Sequence, residues 1–258
     1  MTPQITALGS GKGGTGKTLI AISLAHAFAH AGERVLLCDA DLGLANASVH
    51  LGLKHGGNLA GLLAGQLSLR AATVKVACGP HCSFDLLAAA SGAFANPDGT
   101  AVAKLITTLE AAYDYDRVLV DLGAGVDDVV MRVAARADET LLVLTPDPAS
   151  LTDAYAFTKL MLRRTGGRVP QVLVNMALNA NEGRRIADTL QASAKSFLHI
   201  VPNYLGFIPF DPRVPDAVRR QSPLLSTFPQ SPAARAIEAL ARKLHSTMRV
   251  PLPAVGLR

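Results

Sequence analysis

Short apolar runs recur along the chain at Ile5–Gly9, Arg34–Asp39, Phe84–Ala88, Arg117–Asp121, Thr140–Thr145, Gln171–Met176 and Tyr204–Pro209. Most are unbroken stretches of Val, Leu and Ile rather than apolar–polar alternations. That pattern predicts parallel strands covered on both faces. Stretches with helical spacing lie between them, at Thr18–Ala31, Ala101–Ala112, Asp127–Ala135, Ser150–Arg164, Asn181–Ala194 and Ala233–Thr247. The alternation predicts an α/β fold with a single doubly wound, mostly parallel sheet flanked by helices. One domain is expected over residues 1–248, followed by a short tail, 249–258, in which Pro251 and Pro253 oppose helix formation. In the last helical stretch Ile237, Leu240, Leu244 and Met248 share one side, with Arg235, Arg242, Lys243 and His245 among the polar positions. This spacing suits either a lipid-facing helix or a core-packing one.

The densest chemistry lies at Ser10-Gly-Lys-Gly-Gly-Thr-Gly-Lys-Thr18, between the first strand and the first helix. Gly11, Gly13, Gly14 and Gly16 let the backbone curl so that N–H groups, Thr15's among them, point inward at a polyphosphate. The following helix adds its dipole. Lys17 supplies charge to the β- and γ-phosphates, and Thr18 can offer its hydroxyl to Mg²⁺. A second lysine, Lys12, precedes the usual one by five positions.

Carboxylates cluster at strand ends. Strand two ends in Asp39-Ala40-Asp41, and the apolar run Val118–Val120 ends at Asp121 before Leu122-Gly-Ala-Gly125. The latter is a Walker B arrangement: a carboxylate at a strand tip able to hold Mg²⁺, with glycines that let a loop respond to a γ-phosphate. A single aspartate there could merely cap a helix. Three of them beside a phosphate loop point to a nucleotide site.

Charge divides the chain. Residues 159–258 hold 15 Lys and Arg against 5 Asp and Glu, whereas residues 1–158 hold 10 against 15. The basic half includes Arg163-Arg164, Arg184-Arg185, Arg219-Arg220 and Arg242-Lys243, either an ordinary solvated face or a patch for DNA, an acidic protein or anionic lipid. No apolar run approaches membrane-spanning length, and the segment before strand one is too short for a signal peptide. Cys38, Cys78 and Cys82 do not make a disulfide framework, which fits a cytoplasmic protein. Cys78-Gly-Pro-His-Cys82 invites a zinc reading, but without a second cysteine or histidine pair a surface turn is expected instead.

On these motifs the chain resembles the MinD/ParA superfamily of deviant-Walker ATPases, nearly from end to end. The resemblance implies ATP and Mg²⁺ as ligands and a homodimer that sandwiches two ATP molecules. Lys12 would reach the partner's nucleotide, while Lys17 and Thr18 keep their phosphate and Mg²⁺ roles. Asp41 matches the residue that positions the attacking water, Asp39 supports it near the metal, and Asp121 is the Walker B residue. Asn175 matches the adenine-reading position, and the turn at Pro209 and Phe210 would close over the base. No Asn-Lys-x-Asp guanine signature follows Gln171–Val174. Family domains of this kind end in a helix packed on the sheet.

Within the superfamily, Asp39–Asn46, Leu86–Gly92, Thr145–Tyr155 and Ile208–Gln221 are similar to the flagellar number regulators of the FlhG/FleN (YlxH) type. Partners implied by that resemblance are a transcriptional activator, the SRP-type GTPase FlhF, or C-ring components. The N-terminal extension through which such regulators stimulate the GTPase is missing ahead of strand one. Asp147 stands where relatives often carry a glutamate, and the loop after Asp121 is unusually acidic at Asp127-Asp128. A ParA-type partition ATPase would use the basic half as a nonspecific DNA surface. A Min-type division ATPase would need a terminal membrane helix, and a nitrogenase-type reductase would need a cysteine that residues 122–135 lack.

Overall fold

The computed structural model describes residues 2–41, 45–89 and 99–247. Leu42–Leu44 of the second strand-end motif, Ala90–Gly92, Met248 and the tail lie outside the described residues. The strands are β1 (Gln4–Ser10), β2 (Val35–Ala40), β3 (Val74–Gly79), β4 (Cys82–Ala88), β5 (Arg117–Ala124), β6 (Glu139–Leu144), β7 (Gln171–Ala177) and β8 (Tyr204–Pro209). They form one eight-stranded sheet in the order β3-β4-β2-β5-β1-β6-β7-β8. All neighbours are parallel except the β3–β4 pair at one edge.

Longer helices cover both faces: α1 (Lys17–His30), α5 (Gly99–Glu110), α6 (Asp128–Arg136), α7 (Pro148–Thr165), α8 (Ala180–Leu198) and α11 (Pro232–Thr247). Short turns of helix, α2 (Ala47–His50), α3 (Leu59–Leu63), α4 (Leu69–Ala72), α9 (Arg213–Arg219) and α10 (Leu224–Thr227), fill the connections. The doubly wound expectation holds. The sequence pattern missed β3, an edge strand with its alternate residues wet, and the short helices, too brief to show a period.

Burial explains the continuous apolar runs. Every residue of β2 is buried, and so are the first six of β5. Helix α1 is buried nearly all round, packed between the sheet and α11. On α11, Ile237, Leu240 and Leu244 face this core, so that helix is the core-packing alternative rather than a lipid-facing one. No described helix is long and apolar enough to cross a membrane.

The end of the sheet opposite the glycine loop holds a buried ionic cluster. Arg117, fully buried at the start of β5, meets Glu33 at 2.8 Å and Glu139 at 3.8 Å, and its guanidinium lies 3.8 Å from the Phe28 ring centroid. Its Nη1 also donates to Thr6 Oγ1. Burial raises the Glu139 pKa, against the pull of Thr6 and Arg117. Removing the cation leaves Glu139 without its ion pair and Glu33 with only His245, at 2.7 Å. Arg117→Ala should therefore lower unfolding free energy by about 3–5 kcal/mol. Adding Glu33→Gln to Arg117→Met should recover part of the loss. Urea unfolding checks both, and a loss below about 1 kcal/mol for Arg117→Ala would show that the cluster is not truly desolvated.

Candidate nucleotide site

The glycine loop follows β1 because the chain must reverse sharply and leave space at the strand tips. Gly14 and Gly16 adopt φ of 77° and 88°, the left-handed region that glycine enters freely. Gly11 is constrained differently, since a methyl there would collide with the backbone of Asp153 on α7. Helix α1 then begins at Lys17, its first residue, with Gly16 at the N-cap and no side-chain cap. Its leading N–H groups remain for an anion.

Lys17 is buried, and its Nζ donates to Ser10 Oγ at 2.8 Å; that hydroxyl in turn donates to the Lys12 carbonyl at 2.6 Å. Burial lowers the Lys17 pKa, and Asp121, Asp41 and Asp39 work against that shift. Asp39 and Asp121 stand directly opposite each other on neighbouring strands β2 and β5. Both pKa values are raised, first by burial; Asp39 adds to the shift at Asp121, and Asp41 raises both.

The two carboxylates differ in what holds them. Asp39 Oδ1 accepts from the backbone N–H of Asp41, and Oδ2 from those of Asn46 and Ala47, all within 3.1 Å. It thereby ties down both ends of the segment carrying Asp41. Asp121 accepts from the Thr18 hydroxyl, yet its Oδ1 is buried without a partner. Thr15 Oγ1 is likewise buried and unpartnered. Orphaned acceptors beside a lysine and a hydroxyl fit a divalent cation. Asp41 is half-buried, its carboxyl carbon 3.8 Å from where a β-carbon on Gly123 would sit.

Lys12 lies at the rim, its Nζ 3.0 Å from Asp147 Oδ1 with both side chains partly exposed. Asp147 also accepts from Thr145 Oγ1 and the Ser150 N–H, capping α7, and its pKa is lowered to about 2, chiefly by Thr145. Sequence reasoning noted Asp147 only as a departure. It also passed over Ser10 as the partner of Lys17, although Ser10 lies in the motif.

Asn175 is buried at the end of β7, its Nδ2 donating to the Thr15 carbonyl at 2.8 Å. The next residue, Met176, has φ 60° at a register shift between β7 and β8. That left-handed step is uncommon for a non-glycine and falls directly after Asn175. Pro209 ends β8, and Phe210 is exposed with its N–H bonded to the Ala177 carbonyl. Exposed Met176, Leu178 and Phe210 thus cluster around the tips of β7 and β8.

The basic pairs lie on four helices. Arg164 pairs with Asp128, Arg184 with Asp188, Arg185 with Glu182 and Arg219 with Asp216, so much of the local charge is offset by neighbours. Pro80 and His81 form the expected surface turn, linking β3 to β4, but the cysteines that flank it correct the sequence reading: Cys78 is buried and its sulfur is bonded to that of Cys82.

A strand, glycine loop and helix, with a buried lysine and a strand-tip aspartate beside the loop, define a P-loop nucleoside triphosphatase. The ParA family model, described as NUBPL iron-transfer P-loop NTPase, matches residues 2–245, and the chain belongs to this ParA/MinD family of ATPases. It is 39% identical to the antiactivator FleN of Pseudomonas aeruginosa over 254 residues, 97% of this chain and 88% of that protein. Identity to the flagellum site-determining protein YlxH of Helicobacter pylori is 29%, covering 99% and 87%. Among solved structures, the septum site-determining protein MinD of Pyrococcus horikoshii, complexed with Mg-ADP, superposes with a TM-score of 0.75 at 25% identity. That match covers 96% of this chain and 98% of that one.

The raised carboxylates give a pH dependence. Burial and repulsion between carboxylates raise both Asp39 and Asp121, so the folded pair holds protons that the unfolded chain releases near 3.8. Nucleotide-free stability should therefore fall as pH rises from about 4 to about 7. Thermal melts across that window should show a shallower fall for Asp121→Asn. An unchanged slope would mean that the pair is not proton-linked to folding.

Proposed function

We propose that this chain is an ATP-driven dimerising switch that regulates flagellar number or placement. The carrying observation is the pairing of a complete phosphate cradle around Lys17 with a second lysine, Lys12, held outside it on Asp147. The likeness to FleN and YlxH supports the flagellar assignment.

In this reading the loop N–H groups and Lys17 bind the ATP polyphosphate. Thr18 and Asp121 would hold Mg²⁺, with Asp39 supporting them by fixing the Asp41 segment. When bound, the cation would supply neutralisation of phosphate charge. Asp41 orients the attacking water. Lys12 leaves Asp147, crosses to the partner's nucleotide and offsets charge developing in the transition state. Catalysis is positioning plus electrostatics, so basal turnover is slow, and the output is the dimer's lifetime. Asn175 keeps its carbonyl oxygen for the adenine amino group, having given one amide hydrogen to Thr15. Pro209 and Phe210 cover the base.

The protein acts in the cytoplasm or peripherally at the inner face of the membrane. A transcriptional activator is the favoured partner class, given that the 39%-identical relative is an antiactivator; the GTPase FlhF and C-ring components are the others. Nonspecific DNA or anionic lipid contact through the basic half is a further part of the proposal, to be read from salt-dependent binding. Residues 1–248 form the ATPase domain and 249–258 a tail.

Three variants separate the roles. Lys17→Ala should abolish ATP binding, Asp41→Ala should bind ATP and accumulate as a non-hydrolysing dimer, and Lys12→Ala should bind ATP as a monomer. Sizing chromatography with ATP and Mg²⁺, together with phosphate release, reads all three. Wild-type turnover in Asp41→Ala, or an undiminished Lys12→Ala dimer, contradicts the assignment. Counting flagella in cells lacking the protein, while scoring anucleate cells and minicells, tests the biological output.

A further inference from the structure

The β3–β4 hairpin at the sheet edge brings together chemistry that the nucleotide site does not use. Cys78 and Cys82 face each other across the turn with Cα atoms 5.1 Å apart. Helix α1 packs against β4 and presents His26 to the pair. One ligand atom from each of His26, Cys78 and Cys82 lies within 4.8 Å of the others.

His26 is buried; its ring bonds the backbone of Cys78, while Nδ1 is buried with no partner. A buried, unpaired ring nitrogen is costly. The disulfide gives it no donor. Burial also holds the imidazole pKa down to about 4, so the ring is neutral, the form that ligates. A metal-bound histidine ordinarily donates its other ring N–H to a carbonyl or carboxylate, and the His26 ring already bonds the Cys78 backbone.

We infer that, with the cysteines reduced, His26, Cys78 and Cys82 form a binding site for a zinc-class divalent ion. Two thiolates and one imidazole favour zinc over the hard cation of the nucleotide site. The fourth tetrahedral position is left to water. Cys78-x3-Cys82 is a spacing common in zinc sites, and His26 reaches it from far away in the chain. The ion would staple the edge hairpin to the helix that begins at the glycine loop.

The chemistry balances through a phosphine reductant. The phosphine gives two electrons to the S–S bond, takes oxygen from water to become phosphine oxide, and each sulfur gains a proton. Zinc entry then displaces both thiol protons to solvent as two Zn–S bonds form. Hydrogen peroxide reverses this by taking two electrons from the thiolates, re-forming the S–S bond and releasing the ion, with water as the reduced product.

The test uses full-length protein reduced with a phosphine, loaded with zinc sulfate, desalted and assayed by inductively coupled plasma mass spectrometry. About one zinc per chain should remain. Cys82→Ser should retain none, His26→Ala should bind at least about tenfold more weakly by chelator competition, and peroxide should release the ion. Cobalt loading of the wild type gives a reading independent of variant folding: thiolate-to-cobalt charge transfer with tetrahedral d–d bands. Zinc no higher in the wild type than in Cys82→Ser, a disulfide that survives the phosphine, or cobalt spectra without thiolate bands would each overturn the inference.

Discussion

The structure depends on charges held where water is scarce, at the C-terminal ends of adjacent parallel strands. Register places Asp39 beside Asp121, with Lys17 the nearby cation at the first turn of α1. Two carboxylates so close in a buried setting repel, and each resists ionisation unless positive charge arrives. A sheet buried on both faces keeps that setting dry, and the glycine loop keeps it open to a ligand. The opposite end of the sheet uses the same physics without a ligand: Arg117 of β5 pairs with Glu139 of β6 and with Glu33 just before β2, and donates to Thr6 of β1.

Much of this was legible in the chain. Unbroken apolar runs announced strands covered on both faces, and the nine residues from Ser10 to Thr18 carried the phosphate cradle. The unread parts share a physical cause: they depend on partners distant in sequence or on local backbone geometry. The edge strand β3 has exposed Lys75 and Ala77 alternating with buried Val76 and Cys78, and it reads weakly beside its apolar neighbours. Sequence showed three aspartates at strand tips but not that Asp39 spends both oxygens on backbone donors while Asp121 keeps one free. It placed Asn175 at a strand end, but not the hydrogen bond of its amide to the Thr15 carbonyl, a partner far away in the chain. The proximity of His26 to Cys78 and Cys82 comes from α1 crossing β4.

Lys12 connects the static site to the proposed switch. Its ion pair with Asp147 is partly exposed, so it is weak and exchangeable. A nucleotide phosphate on a second subunit offers the lysine more negative charge than one carboxylate does. Exchange between the two partners would couple ATP occupancy to assembly without any large change in the sheet. Of the exposed apolar residues at the tips of β7 and β8, Met176 reaches the glycine loop, its Cε 3.7 Å from where a β-carbon on Gly16 would sit.

If Lys12 completes the site from a second subunit, catalysis requires association, and the rate per subunit must depend on protein concentration. The decisive measurement is phosphate release from saturating Mg-ATP across a wide dilution series spanning the dimer dissociation constant. Turnover per subunit should rise with concentration to a plateau, following the dimer fraction seen by analytical ultracentrifugation. A rate per subunit that stays constant while the dimer fraction changes would contradict the account.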